Sequence, residues 1–382
     1  MPRHHRIQIL LAKWLEQGKE RKPRNQRNLK KLRSLRKRNL KEEDLKEDKY
    51  LLFSRMDQYI VRKIKSKRNE KQSGNTKYTY EYLDQHGKHI DSALAKSVMQ
   101  GLYISPAYKD VKINLNQREK VLAIGYDEKD RPQYIYNPKF QEKQAKQKFQ
   151  KMIDFGESYK KIMNQVKRDL HTEGDNKHKQ VAMALMLVVE CGIRIGSEKY
   201  KKENKSFGAT TLEPRHFTIK KDVVSVNFKG KKGVQNTGKI RSKRLSRNLR
   251  IKKRTFRSNE PIFAYRRVDN WYTLKAADVN RYLKRFGNFT SKNFRTWVAN
   301  LQFITQVVSF ESHDKKDKNV KVAIEKVADK LNNTPAVCKK NYIDPFIMNS
   351  YLNDTTHFLR TFRQANTKDE YSEKYLELLR SQ

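Results

Sequence analysis

Five side chains in the second half of the chain could together attack a phosphodiester without a metal: Arg194, Lys231, Arg295, Asn333 and Tyr342. A tyrosine hydroxyl can act as nucleophile, and guanidinium forks can stabilise a five-coordinate phosphorus through two of its oxygens. A lysine can protonate a leaving oxygen, and an amide can donate to a third. Arg194 emerges from an apolar run into Gly192-Ile-Arg-Ile-Gly-Ser-Glu-Lys-Tyr200. An arginine at the end of a buried helix is costly unless paired or aimed at a ligand, and Glu198, four residues on, offers the ordinary pairing. Lys231 lies in Val226-Asn-Phe-Lys-Gly-Lys-Lys-Gly-Val234, which reads as a β-hairpin tip whose glycines permit turn dihedrals. Arg295 follows Thr290 and Ser291, either of which can cap a helix that carries Lys292 and Arg295 on one face. Tyr342 comes after the polar Asn332, Asn333, Thr334, Pro335 turn. Thr334 suits the N-cap and Pro335 the first turn of a short helix that Pro345 ends. Tyr342 is one of nineteen tyrosines, so the joint pattern carries the chemistry, not the residue alone.

The surrounding elements fall into two groups. From 59 to 136, short runs of alternating aromatic and β-branched residues (59–64, 78–82, 111–115, 121–124 and 133–136) are separated by turn signals and read as strands, with a helix around 90–100. From 138 the period becomes helical, and residues 180–191, apolar nearly all round, read as a buried helix. Strand-like runs follow at 218–231 and 239–251. Helices are then expected at 276–286, 291–310, 320–331 and 335–342, with another around 370–379. The expected fold is α+β: a basic extension over residues 1–48, a small β-rich domain over 49–137, a mainly helical domain over 138–345, and a charged helical tail over 346–382.

Composition narrows the partner. The 382 residues carry 86 Lys and Arg against 42 Asp and Glu, a net charge of +44. That excess points to a polyanion, usually nucleic acid. Residues 1–40 alone carry +12. A hydrophobic content of 36 % is enough for a core. Two cysteines, Cys191 and Cys338, build neither a disulfide framework nor a zinc site. No apolar run is long enough for a membrane span, and no signal peptide is recognisable, so an intracellular, non-secreted protein is expected.

Several motifs coincide in one order: Gly125-Tyr-Asp-Glu-Lys-Asp-Arg-Pro-Gln-Tyr134; Arg194 with Glu203 and Asn204; Thr211, Leu212 and His216; Phe228 with Lys231; Asp278, Asn280, Tyr282 and Leu283; Phe294-Arg-Thr-Trp297; and Asn333-Thr-Pro with Tyr342. Over roughly residues 55–345 this ordered set resembles the type IB DNA topoisomerase family, in its poxvirus-like and bacterial branch. The resemblance implies a small β domain and a helical catalytic domain that close as a monomeric clamp around double-stranded DNA. It implies Tyr342 as the nucleophile that forms a 3′-phosphotyrosyl link, followed by strand rotation and religation, without metal, nucleotide or other cofactor. It makes Arg194 and Arg295 the phosphorane stabilisers and Lys231 the general acid, with Arg194 assisting. Many members carry histidine where this chain has Asn333; bacterial-type members have the asparagine, which can donate but cannot become charged. Lys199 and Tyr200 match a segment that enters the major groove, although Ser197 stands where poxvirus members have a base-contacting lysine. Lys292 is a further DNA-binding candidate. Arg131, Gln133, Tyr134 and Tyr136 match a DNA-facing motif of the small domain.

Two other readings share part of the pattern. A tyrosine recombinase uses the same chemistry, but usually has His-x-x-Arg where this chain has Lys292-Asn-Phe-Arg295, and no clear exchange helix follows Tyr342. A noncatalytic DNA-packaging protein would have no use for the intact tyrosine, arginines and lysine.

Overall fold

A computed structural model of the chain describes residues 58–69 and 76–381. The basic extension over residues 1–48 lies outside them. The chain divides into two compact units, Met1–Ala145 and Lys146–Gln382. The division therefore falls later than the expected boundary at 137/138, inside a helix of 34 residues that starts at Pro138.

In the first unit, strands β1 (Tyr59–Asn69), β2 (Thr76–Leu83), β3 (Lys109–Asn114), β4 (Val121–Tyr126) and β5 (Pro132–Tyr136) form an antiparallel sheet in the order β2-β1-β3-β4-β5. Alternation puts Ile60, Val111, Ile113 and Ala123 into one core with Ala95 and Val98 of helix α1 (Ser92–Val98). Arg62 is buried in β1. Its guanidinium donates to the Ser105 carbonyl at 2.8 Å and lies 4.4 Å from the Tyr80 ring centre, which offsets much of the cost of burying the charge.

The second unit contains the rest of α2 (Pro138–His171) and then α3 (Lys177–Cys191), α4 (Glu198–Asn204), β6 (Phe217–Lys220), β7 (Val223–Lys229), β8 (Gln235–Arg241), α5 (Lys243–Thr255), β9 (Ala264–Arg267), β10 (Asn270–Thr273), α6 (Ala276–Leu283), α7 (Ser291–Val308), α8 (Lys316–Leu331), α9 (Pro335–Asn341), α10 (Pro345–Asn353), α11 (Thr355–Phe362) and α12 (Lys368–Arg380). The apolar helix α3 lies within its core, and α2, α6, α7 and α8 contribute their buried faces to the same cluster. β6, β7 and β8 make a three-stranded antiparallel sheet, and β9 and β10 a separate hairpin. Phe155 of α2 meets Phe294 and Trp297 of α7 edge-on, at 4.9 and 5.8 Å between ring centres.

Two expectations need correction. Only the start of residues 239–251 is strand. β8 ends at Arg241, and Ser242 caps α5 by accepting from the Leu245 N–H at 3.3 Å. Leu245, Leu249 and Lys252 then recur at helical spacing on the buried face. Residues 346–382 are not a tail. Ile347, Tyr351, Phe358, Phe362, Tyr375 and Leu379 enter the same core as α3. Trp297 donates to the Ser372 hydroxyl at 3.2 Å and packs on the Tyr375 ring at 4.3 Å. Helices α10, α11 and α12 each turn an apolar stripe into this core.

Candidate active site

The site is built where α3 and α8 end. α3 closes at Gly192 in the left-handed region, φ 63°. A Cβ there would stand 2.7 Å from the Lys330 carbonyl oxygen, so glycine alone lets these two helix ends approach this closely. Two residues on, Arg194 donates from Nη2 to Asn333 Oδ1 at 2.8 Å. Backbone bonds from Ala209 N–H to the Arg194 carbonyl and from Thr210 N–H to the Ile195 carbonyl, both 2.8 Å, hold the arginine's own peptides. Arg194 thus spans to a residue 139 positions away rather than to Glu198. The guanidinium can only donate, so the Asn333 amide turns its oxygen to Arg194. Its Nδ2 is left buried without a partner.

Arg295 is 4 % exposed in α7. Its Nη2 donates to the Leu331 carbonyl at 3.2 Å and reaches the Tyr342 hydroxyl at 3.5 Å. Nε and Nη1 are buried and unpartnered. A buried guanidinium with open donors is expensive unless an anion completes it.

Tyr342 caps the C-terminus of α9 instead of lying within the helix. Thr334 starts α9 by accepting from the Val337 N–H at 3.3 Å, and the Tyr342 N–H donates to the Cys338 carbonyl at 2.9 Å. Burial pushes the Tyr342 phenol up, but the charge and hydrogen bond of Arg295, with the charge of Arg194, outweigh it and leave the phenol below its ordinary value.

Lys231 stands solvent-exposed on the turn between β7 and β8. The Phe207 N–H donates to the Lys229 carbonyl at 2.9 Å, tying the hairpin to the segment that follows Arg194. The Lys231 ammonium has no hydrogen bond or ion pair among the described residues. Desolvation lowers its pKa first, and the nearby Arg194 and Lys232 charges lower it further; Tyr342 opposes them.

One residue was missed by the sequence reading. Asn300 of α7 is fully buried. Its Nδ2 donates to the Tyr342 carbonyl at 2.9 Å, and its Oδ1 accepts from the Asp344 N–H at 2.8 Å. One amide therefore clamps the backbone on both sides of Ile343. The available signal was a polar residue on the otherwise apolar face that begins at Phe294.

Lys292 is exposed in the first turn of α7, and its charge bears on Lys231. In α4, Lys199 pairs with Glu203 at 3.7 Å and Tyr200 is 55 % exposed. In the first unit, Arg131 and Gln133 both bind the Asp127 carboxylate, at 2.8 and 3.0 Å, and Tyr134 stacks on Tyr136 with ring centres 6.2 Å apart.

Residues 137–368 match the family model described as eukaryotic DNA topoisomerase I, catalytic core. The chain is 29 % identical over 303 residues to DNA topoisomerase 1B of Acanthamoeba polyphaga mimivirus, covering 76 % of this chain and 89 % of the relative. It is 25 % identical over 267 residues to DNA topoisomerase 1B of Vaccinia virus (strain Copenhagen), covering 68 % and 82 %. Among solved structures, XerH site-specific recombinase bound to its palindromic difH substrate shares 14 % identity over 60 % of this chain and 58 % of that one. Its TM-score is 0.31, too slight to bear on fold or activity.

Proposed function

The chain belongs to the eukaryotic DNA topoisomerase I catalytic-core family and is a type IB DNA topoisomerase; from that premise we propose that Tyr342 is its nucleophile and Arg194, Arg295, Lys231 and Asn333 its catalytic groups. The observation that carries the reading is the Arg295–Tyr342 pair beside the Arg194–Asn333 pair. The phenol loses its proton to water more readily under the two guanidinium charges, and its oxygen attacks the phosphorus of one strand. A 3′-phosphotyrosyl bond forms as the bond to the 5′-oxygen breaks. Lys231, on its exposed turn, delivers a proton to that oxygen, and its lowered pKa eases the transfer. The open Nε and Nη1 of Arg295, the Arg194 fork and the Asn333 Nδ2 supply donors for the two nonbridging oxygens as charge builds on the phosphorane. The freed strand rotates about its partner. Religation runs the step backward, with the 5′-hydroxyl as nucleophile and Lys231 taking its proton.

Double-stranded DNA is the substrate. One chain carries the full set of groups, which supports action as a monomer, with the two units closing as a clamp around the duplex. Lys199, Tyr200, Lys292, Arg131, Gln133, Tyr134 and Tyr136 are the contacts we assign to the DNA, and the protein would work wherever that DNA is kept. Incubation with supercoiled plasmid in EDTA without ATP tests the whole reading. Relaxation and a covalent protein–DNA adduct are expected from the wild type and from neither Tyr342→Phe nor Tyr342→Ala. An adduct that survives in Tyr342→Phe would remove Tyr342 from its role.

A further inference from the structure

α9 is only seven residues long; the Tyr342 and Ile343 N–H groups still donate to its Cys338 carbonyl, but the Asn341 and Tyr342 carbonyls lie beyond its hydrogen-bond ladder. The last carbonyls of a helix have no partner within it and must find one outside. At the Tyr342 carbonyl and the Asp344 N–H the outside partner is Asn300 from α7. At the Asn341 carbonyl it is Lys148, which reaches across from α2 with its ammonium. The same ammonium lies 5.7 Å from the centre of the Tyr342 ring and 4.5 Å from that of Phe149. The carbonyl of the peptide joining Asn341 to Tyr342 is therefore held by a charged donor that also lies beside the Tyr342 ring, while the N–H of that peptide is held by the Cys338 carbonyl. A cation is well placed at the C-terminus of a helix, where the backbone dipole is negative.

We propose that Lys148 is a positioning residue for the reaction: its ammonium, held on the Asn341 carbonyl and beside the Tyr342 ring, sets the direction in which the Tyr342 hydroxyl points toward Arg295. The assignment rests on Tyr342 being the nucleophile. Its surroundings fit a side chain placed for its charge. Burial pushes Lys148 down to about 8, against the pull of the Asp344 carboxylate, so the site keeps the cation at a cost that a neutral side chain would avoid. Asp344 is 2 % exposed, caps α10 through the Phe346 N–H at 3.0 Å, and leaves Oδ2 without a hydrogen bond. Lys148 supplies the nearby positive charge. A shift of about 1 Å at a nucleophile can cost on the order of 10²-fold in rate, so a tie one residue from the reacting group is enough to matter.

The test uses the full chain, with single-turnover cleavage of a nicked or short duplex and, separately, equilibrium DNA binding by anisotropy. Lys148→Met is expected to slow cleavage about 10- to 100-fold while leaving DNA affinity within about twofold. Lys148→Arg, which keeps charge and donors, is expected to recover most of the rate. If Lys148→Met melts too early to assay, Lys148→Gln keeps a donor without the charge and is expected to cleave more slowly than Lys148→Arg. Unchanged cleavage in Lys148→Met, or equal losses in all variants, overturns the proposal. A parallel loss of DNA affinity also overturns it, because Lys148 would then be a DNA contact. Tyr342→Phe, run alongside, separates the two readings. An adduct in that variant removes the nucleophile assignment itself, whereas its absence with normal Lys148→Met cleavage removes only the role given to Lys148.

Discussion

Arg194 Nη2 and Asn333 Oδ1 lie 2.8 Å apart, and this one bond decides what the asparagine can do. With its oxygen committed to a group that can only donate, the amide has N–H left for a phosphate oxygen. Asn333→Asp keeps the acceptor for Arg194 and loses that donor. Its single-turnover cleavage should fall on the order of 10²-fold with DNA binding little changed. Asn333→His should restore a donor and add an ionisable one. Cleavage rates between pH 5 and 8 should gain an acid limb in the histidine variant that the wild type lacks; superimposable profiles would sink this account.

Arg295 has a separable electrostatic role. It lowers the Tyr342 phenol against the upward push of burial, so the ionised fraction grows through a midpoint below the ordinary value of about 10. Removing the charge in Arg295→Gln should shift the rising alkaline limb of the cleavage rate to higher pH. Cleavage at neutral pH should drop on the order of 10²–10³-fold, since the phosphorane also loses its donors. A limb that stays put in Arg295→Gln would mean that the limb does not report Tyr342.

Lys231 is assigned to the leaving oxygen, and that step can be bypassed. Lys231→Ala should cleave an ordinary duplex on the order of 10²–10⁴-fold more slowly. With a 5′-bridging sulfur, whose thiolate leaves without a proton, the variant should approach the wild-type rate. An equal defect on both substrates would assign Lys231 to phosphate binding instead.

Asp344 should make folding stability fall as pH rises. Burial raises its carboxyl to about 6, above the usual 3.8, so the folded state holds this proton more tightly than the unfolded state. The contribution is fully present below pH 3.8 and is lost as pH rises through about 6. Asp344→Asn, which can still cap Phe346 through its oxygen, should therefore raise the melting temperature at pH 8 and give no gain near pH 4. The ceiling is about 3 kcal/mol at 1.36 kcal/mol per unit. A gain that is the same at both pH values would show that ionisation is not its source.

Deleting residues 346–382 should unfold the second unit, not shorten it. Tyr351, Phe358, Phe362 and Tyr375 lie in its core, and losing one large aromatic side chain typically costs about 3–5 kcal/mol against a total stability of about 5–15. Calorimetry of the truncated protein should show no cooperative transition from this unit. A transition at the full-length temperature would restore the reading of this segment as a tail.

Much of the fold was legible wherever one residue's neighbours in sequence are also its neighbours in space. Alternation marked all five strands of the first unit, and the continuous apolar run at 180–191 marked α3. The capping at Thr334 and Pro335 and the turn around Lys231 were readable for the same reason, because a cap or a tight turn closes within a few residues. The β9–β10 hairpin has only four residues in each strand, and the first two helices after Pro345 have nine and eight, too few turns for a period to stand out.

Motifs and caps are written in local residue types, so the order of residues is enough to say which chemical groups this protein brings and where along the chain they stand. The partners of those groups are set by the folded chain. Arg194 passes over Glu198 for an asparagine 139 residues away. Asn300 and Lys148 hold the peptides around Tyr342 from two different helices. A C-terminal segment expected to be a tail closes the core around Trp297. Such contacts depend on how helix ends and faces meet after the chain has folded back on itself. No local period or propensity encodes that meeting, whereas burial of unpaired donors makes it obligatory once the core has formed.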